Sequence, residues 1–159
     1  MKSTAKIYVF FIAFTLAIGG LAALLTMDNM NIYDSIVKPP FAPPGIVFPI
    51  VWGILYTLMA ISVAKVYITG KNEGFQLSQS MTLYFLQLGV NFFWSIIFFN
   101  MQNFLFAFLW LVLLFALVAS MILSFFRINK KAAILQLPYL LWIAFAGILN
   151  YAVFVLNVQ

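Results

Sequence analysis

The sequence predicts an all-α integral membrane protein, one domain over residues 1–159 folded as a bundle of five transmembrane helices, and three observations carry that prediction. Hydrophobic residues make up 66% of the chain and charged residues 7%, with a mean hydropathy of +1.12, whereas soluble domains carry about 25% charged residues. Apolar runs cover residues 7–25, 48–66, 80–99, 104–126 and 132–155, each near the roughly 17 to 25 residues needed to cross about 30 Å of hydrocarbon. The runs are apolar all round, whereas membrane β-strands alternate over about ten residues, so helices are the way this chain crosses. The third observation is a proline-rich connector between the first two runs, and its stiffness sets it apart from an ordinary loop.

The first span follows Lys2 and Lys6 and so resembles a signal peptide, but Ile7 to Leu25 is 19 residues long, against roughly 7 to 15 for a signal core, and no small-x-small cleavage site follows. It reads as a mature span. The connector, residues 26–47, runs into the second span as Lys38-Pro-Pro-Phe-Ala-Pro-Pro-Gly-Ile-Val-Phe-Pro-Ile-Val-Trp-Gly-Ile-Leu-Tyr56, with five of the chain's six prolines. Each proline fixes φ and removes a backbone donor, and the residue before it is pushed toward extended geometry. A connection this long is either functional or disordered. Disorder fits poorly, because Tyr33, Ile36, Val37, Phe41, Ile46 and Val47 are apolar or aromatic where disordered segments are charged. The connector therefore reads as a rigid lid over a pocket.

In the second span Phe48, Trp52 and Tyr56 recur every four residues and stack on one helix face. The third span sets Tyr84, Gln87, Asn91 and Trp94 at steps of three and four. The fourth carries Trp110 and Ser120 without a comparable stripe and reads as the helix that mostly faces lipid. The fifth repeats the theme with Pro138, Trp142, Ala146 and Asn150, flanked by Phe145 and Leu149.

Basic residues near span ends set orientation. Lys2, Lys6, Lys65, Lys71, Arg127, Lys130 and Lys131 fall on one side and Lys38 on the other, of 8 in all. The amino terminus is therefore expected in the cytoplasm, with the connector and the carboxyl terminus outside. The net charge of +5 is a topology signal and implies no nucleic-acid partner. The chain has no Cys and no His, which removes disulfides, thiolate nucleophiles and the commonest zinc and haem ligands, so no metal site is expected. The three acids, Asp28, Asp34 and Glu73, lie in loops, so ordinary acid-base catalysis lacks parts and no span carries the central charge of a pump or ion path.

Asn and Gln inside spans often serve only as interhelical bonds worth about 0.6 to 2 kcal/mol, and Trp or Tyr at span ends often belong to the interfacial belt. Trp110 reads that way. Convergence argues for more at Trp52, Asn91, Trp94 and Trp142, which lie on the striped faces of three helices near the connector.

These residues resemble the translocator protein or tryptophan-rich sensory protein family (TspO/MBR, formerly the peripheral benzodiazepine receptors). The resemblance covers nearly the whole chain. It rests on the Lys-Pro-Pro-x-x-Pro-Pro connector with its Trp/Tyr helix, on Gln87-Leu-Gly-Val-Asn91-Phe-Phe-Trp94, and on Pro138-Tyr-Leu-Leu-Trp142-Ile-Ala-Phe-Ala146-Gly-Ile-Leu-Asn150-Tyr151. It implies a five-helix bundle, often a homodimer, whose pocket beneath the connector binds porphyrins such as protoporphyrin IX and synthetic benzodiazepine-site ligands. The short chain without His suggests a bacterial member, in the cell membrane. Carried onto this sequence, the ligand-binding set is Tyr33, Pro43, Phe48, Trp52, Tyr56, Asn91, Trp94, Trp142, Ala146 and Leu149.

A porphyrin is a flat aromatic disc with two carboxylates, and it wants π surfaces and rim donors. The tryptophans supply the surfaces, Asn91 a donor, and Lys38 either a partner for a carboxylate or a solvated charge. The resemblance also implies light- and oxygen-dependent porphyrin degradation, with Trp52 and Trp142 as hypothetical photoredox residues and the porphyrin as ligand or substrate, so that no cofactor is required. The Leu149-x-Tyr151 pattern lacks a following Lys or Arg, so the cholesterol association of mammalian members is not implied. Two other readings stay open, a structural or partner-binding membrane protein and a tetrapyrrole transporter without catalysis. Gly19, Gly20, Ala22, Ala23 and Gly89 would serve close helix approach within one bundle or between two.

Overall fold

The computed structural model describes residues 2–157. Helix α1 spans Lys2–Thr26 and runs through a 3₁₀ turn, Met27–Asn29, into the short α2, Ile32–Ser35. Helix α3 spans Val47–Glu73, and α4 spans Ser78–Ser95 and continues as a π-helical turn, Ile96–Asn100. Then come α5, Phe104–Ile128, the short α6, Lys130–Ile134, and α7, Leu137–Asn157. Among the described residues there are 5 helical stretches long and apolar enough to cross a membrane, residues 4–29, 47–73, 78–100, 104–128 and 130–157. The chain is an all-α integral membrane protein.

Local chemistry explains the ends. Helix α3 stops at Gly74, whose φ of 76° is left-handed, and the Phe75 N–H folds back on the Gly70 carbonyl at 2.9 Å, the usual way of satisfying the last carbonyls. Asn103 opens α5 by accepting from the Phe106 N–H at 3.1 Å. Asn129 ends α5 in an extended conformation and opens α6, its side chain accepting from the Ala132 N–H at 3.0 Å. Its amide also donates to Thr69 Oγ1 at 2.8 Å and so ties this corner to α3. The apolar run over 132–155 is divided at Leu135 and Gln136, and Pro138 sits in the first turn of α7, where its missing donor costs nothing.

The long helices pack around the bundle in the order α1, α3, α7, α5, α4 and back to α1. No hydrophobic force drives helices together in lipid, so close packing and interhelical hydrogen bonds hold the ring. Thr15 on α1 bonds the Tyr84 hydroxyl on α4. Ser80 and Ser124 join α4 to α5 at 2.7 Å, and Ser62 donates from α3 to the Ala132 carbonyl on α6 at 2.7 Å. Trp110 on α5 donates its indole N–H to the Val90 carbonyl on α4 at 2.7 Å, so it packs helices together.

Helix α5 presents most of its surface outward, as expected, but it also carries a buried seam that the sequence did not show. Ala107, Leu111, Leu114, Val118, Met121 and Phe125 are all buried, at alternating steps of four and three, and the helix is wedged between α4 and α7. The stripe escapes a sequence reading because its lipid-facing neighbours, such as Leu109, Val112 and Leu123, are as apolar as the buried set.

Gly19 lets α1 lie against α3: a Cβ there would sit 2.6 Å from a ring carbon of Tyr56. Gly19→Ala is therefore expected to destabilise the bundle by about 1 to 3 kcal/mol through overpacking. Gly20→Ala, where a Cβ meets nothing within 4 Å, is expected to be neutral or to gain up to about 1 kcal/mol of helix propensity. Thermal unfolding of the two detergent-solubilised variants checks this, and equal midpoints would refute the close approach.

Candidate functional site

The connector is strapped down at several points. The Asn100 side chain, on the π-turn, donates to the Leu25 carbonyl at 2.9 Å and accepts from Asn29 at 2.9 Å. Asn157, at the end of α7, pairs reciprocally with the Val37 backbone, accepting from its N–H at 3.0 Å and donating to its carbonyl at 2.9 Å. Tyr33 donates its hydroxyl to the Pro43 carbonyl at 2.8 Å and so closes the connector on itself. Burial, reinforced by the neighbouring Asp34 carboxylate, raises the Tyr33 phenol above its ordinary range, which keeps it a neutral donor. Lys38 turns inward, its ammonium 2.5 Å from the Tyr33 carbonyl and 4.9 Å from the centre of the Tyr33 ring, so its charge is used within the lid.

Beneath the connector lies a cavity lined by Tyr33, Phe48, Trp94, Phe98, Phe99, Ala146, Leu149 and Asn150. Five of the residues expected in the site therefore share one wall: Tyr33, Phe48, Trp94, Ala146 and Leu149. Trp52 lies behind Trp94, their ring centres 6.3 Å apart, and also packs on Tyr56 at 5.6 Å and Tyr139 at 6.2 Å. Trp142 lies edge-on to Phe48 at 5.9 Å and against Phe145 at 5.4 Å. Pro43 contributes its carbonyl to Tyr33.

Below this aromatic layer is a hydrogen-bonded layer. Tyr56 donates its hydroxyl to Asn91 Oδ1 at 3.3 Å, and Asn91 Nδ2 donates to the Tyr139 hydroxyl at 2.7 Å. Tyr139 in turn donates to Gln87 Oε1 at 2.8 Å. Asn91 is 1% exposed, does not line the cavity, and has both its oxygen and its nitrogen engaged, so in this conformation it holds α3, α4 and α7 together. Trp94 donates its indole N–H to Asn150 Oδ1 at 3.3 Å, and Asn150 Nδ2 donates to the Phe104 carbonyl at 2.8 Å.

The indole N–H of Trp142 is different: it is buried and has no partner. Trp142 does not itself line the cavity but packs on its wall residue Phe48, and the Gln136 side chain just before α7 is likewise buried without a partner. Buried polar groups of native proteins are nearly always satisfied, so an unpaired donor one ring away from an aromatic cavity is a place for an acceptor. The cavity is nearly closed, at about 20 Å³, room for about one water molecule. A tetrapyrrole-sized ligand fits only if the aromatic walls move.

Sequence reasoning missed Phe98, Phe99 and Asn150 as lining residues, and Tyr139 as the centre of the hydrogen-bonded layer. Asn150 was visible as the last member of the Pro138, Trp142, Ala146 stripe. Phe98 and Phe99 were not, because they lie in an unbroken apolar run, Ile96-Ile-Phe-Phe99, where nothing distinguishes a cavity-facing ring from a lipid-facing one, and the π-helical turn at Ile96–Asn100 that carries them leaves no periodic signature.

The chain matches the model of the TspO/MBR family over residues 11–156. It is 40% identical over 127 residues to the Tryptophan-rich protein TspO of Chlorobaculum tepidum, covering 79% of this chain and 78% of that one. It is 40% identical over 145 residues to the Tryptophan-rich protein TspO of Archaeoglobus fulgidus, covering 89% and 91%. With the Translocator protein of Bos taurus it shares 31% identity over 124 residues, 78% of this chain and 73% of that protein.

Removing the Tyr139 hydroxyl strands two buried partners, the Asn91 amide and the Gln87 oxygen. Tyr139→Phe is expected to cost about 1 to 3 kcal/mol of stability, read as a lowered thermal midpoint in detergent. Tyr151→Phe, at a ring 49% exposed on the outer surface, is the comparison and should stay within about 0.5 kcal/mol of the parent.

Proposed function

Since the chain belongs to the TspO/MBR family, we propose that it is a membrane receptor or sensor that binds tetrapyrroles, protoporphyrin IX among them, and benzodiazepine-site ligands in the aromatic cavity beneath the connector. The observation that carries this reading is the Trp142 indole N–H, buried and unpartnered on a ring that packs edge-on against Phe48, which with Tyr33 and Trp94 walls the cavity. Flat aromatic faces are what a macrocycle stacks on, and an orphaned donor is what a ring substituent or carboxylate pairs with. Ala146 keeps the wall thin where α7 lines the cavity, and a larger side chain there would fill the space.

In the same reading the site faces outward, the amino terminus is cytoplasmic, and the working unit in the bacterial cell membrane is a homodimer. Light-dependent degradation follows as its second part. One electron passes from Trp52 or Trp142 to the photoexcited ring, dioxygen adds across a bond of the macrocycle and opens it with both oxygen atoms retained in the product, and the electron returns to the indole radical, so the tryptophan is unchanged over a turnover and no other cofactor is needed. A second reading, in which the site residues only hold helices together, has its own support: Asn91, Trp94 and Asn150 bond one another or their neighbouring helices, and the cavity is small. Tetrapyrrole transport without catalysis is the form of the first reading in which light has no effect.

Quenching of tryptophan fluorescence by protoporphyrin IX in the dark tests binding. Saturable quenching in the parent, with an apparent Kd raised about tenfold or more in Trp142→Phe and in Trp52→Phe, is expected from lost stacking and a lost donor worth about 1.4 kcal/mol or more. Quenching that never saturates, or that ignores both substitutions, would return these residues to packing. Under light, porphyrin absorbance should fall in the parent and persist in the double variant; equal decay in both would remove the photoredox role.

A further inference from the structure

Beside the closed cavity lies an open cleft of about 410 Å³ between the connector and the ends of α3 and α4. Three aromatic side chains, Tyr33, Phe48 and Phe99, line both spaces, so the wall between cleft and cavity is a single layer of rings. The far side of the cleft has two characters: Met30, Ile46 and Pro49 are apolar, and Asn31 and Asp34 are polar. Ile46 is 67% exposed. An apolar floor with a polar rim suits a flat amphiphile lying at the boundary between hydrocarbon and water.

The other margins of the lid are fastened. Asn157 holds Val37 through two hydrogen bonds, and Phe41 of the connector sits against Phe145 of α7, ring centres 6.4 Å apart. Reaching the cavity from that side means breaking these contacts. From the cleft it means only turning rings, and aromatic side chains reorient without backbone hydrogen bonds being lost. Phe99 is the ring best placed to move. It lies on the π-helical turn Ile96–Asn100, a local departure from regular helix of the kind frequent at functional sites, and its ring makes no hydrogen bond that turning would break.

We propose that the cleft is the entrance subsite of the aromatic cavity, taking up a flat amphiphilic ligand sideways from the membrane interface, and that Phe99 is the side chain that separates entrance from cavity. The proposal rests on the tetrapyrrole-binding reading above. A cavity near the size of one water beside a cleft twenty times larger is what a closed site with a preformed waiting space looks like. The Asp34 carboxylate at the rim repels carboxylates, so a porphyrin passes with its apolar edge leading.

The chain has no cysteine, so a single introduced thiol can be labelled uniquely. Full-length protein in lipid nanodiscs is mixed with protoporphyrin IX in the dark, and the quenching rate is followed by stopped flow. Ile46→Cys carrying a bulky maleimide should slow association about fivefold or more, while the same label on Phe41→Cys leaves the rate within about twofold of the parent. Phe99→Ala should speed association about threefold or more. Slowing by the Phe41 label with none from the Ile46 label would overturn the proposal and put the entrance at the Phe145 margin. Equal rates for both labelled proteins beside the parent would overturn it too. Absence of saturable quenching in the unlabelled parent is a separate result, which removes the binding reading on which the entrance rests.

Discussion

The Tyr139 hydroxyl, accepting from Asn91 and donating to Gln87, is the interaction on which the rest of the site depends. In hydrocarbon an unpaired polar group is expensive, so once Tyr56, Gln87, Asn91 and Tyr139 are placed in the bundle they must find one another. That need locks α3, α4 and α7 at a single relative height and rotation, which apolar packing alone specifies weakly because lipid is as apolar as leucine. The aromatic layer above inherits its position. Trp52 stacks one turn before Tyr56, Trp94 is three residues beyond Asn91, and Trp142 three beyond Tyr139, so all three indoles are carried on the locked helices.

The connector completes the site by the opposite means. Besides the apolar contacts of Tyr33, Ile36 and Ala42, it is held by amide side chains from neighbouring elements, Asn100 and Asn157, with the Tyr33 hydroxyl bonding Pro43 within it. The prolines make such fastening effective, because a stiff chain pinned at a few points has little remaining freedom. The result is a roof over a cavity whose own rings nearly fill it, with one donor, the Trp142 N–H, left without a partner. Most polar groups in this region bond each other; the exception marks where a ligand has something to contribute.

Much of this was legible in the amino-acid order. The spans announce themselves because a membrane helix satisfies its own backbone and needs only length and apolar side chains. The stripes of Phe48, Trp52 and Tyr56, and of Gln87, Asn91 and Trp94, are visible because polar and aromatic residues stand out against an apolar background at helical spacing. The same background hides the buried seam of α5, where Leu114 and Leu113 are chemically identical and only one faces the core. The last apolar run was read as one continuous span with Pro138 in its stripe, and it gave no sign of the turn at Leu135 and Gln136.

By itself the sequence determined the class, the number of crossings, the stiff connector and the three helices that carry the aromatic and amide faces, because each of these follows from local composition or periodicity. Only the tertiary structure decided which donors are spent and which is free, how small the closed cavity is, and that Phe98 and Phe99 share its wall. Those outcomes depend on distances between residues far apart in the chain, which are not encoded in the spacing of any one segment. Asn91 illustrates the division: its place on a buried polar face could be read from the chain, but its full engagement with Tyr56 and Tyr139 exists only once three helices have come together.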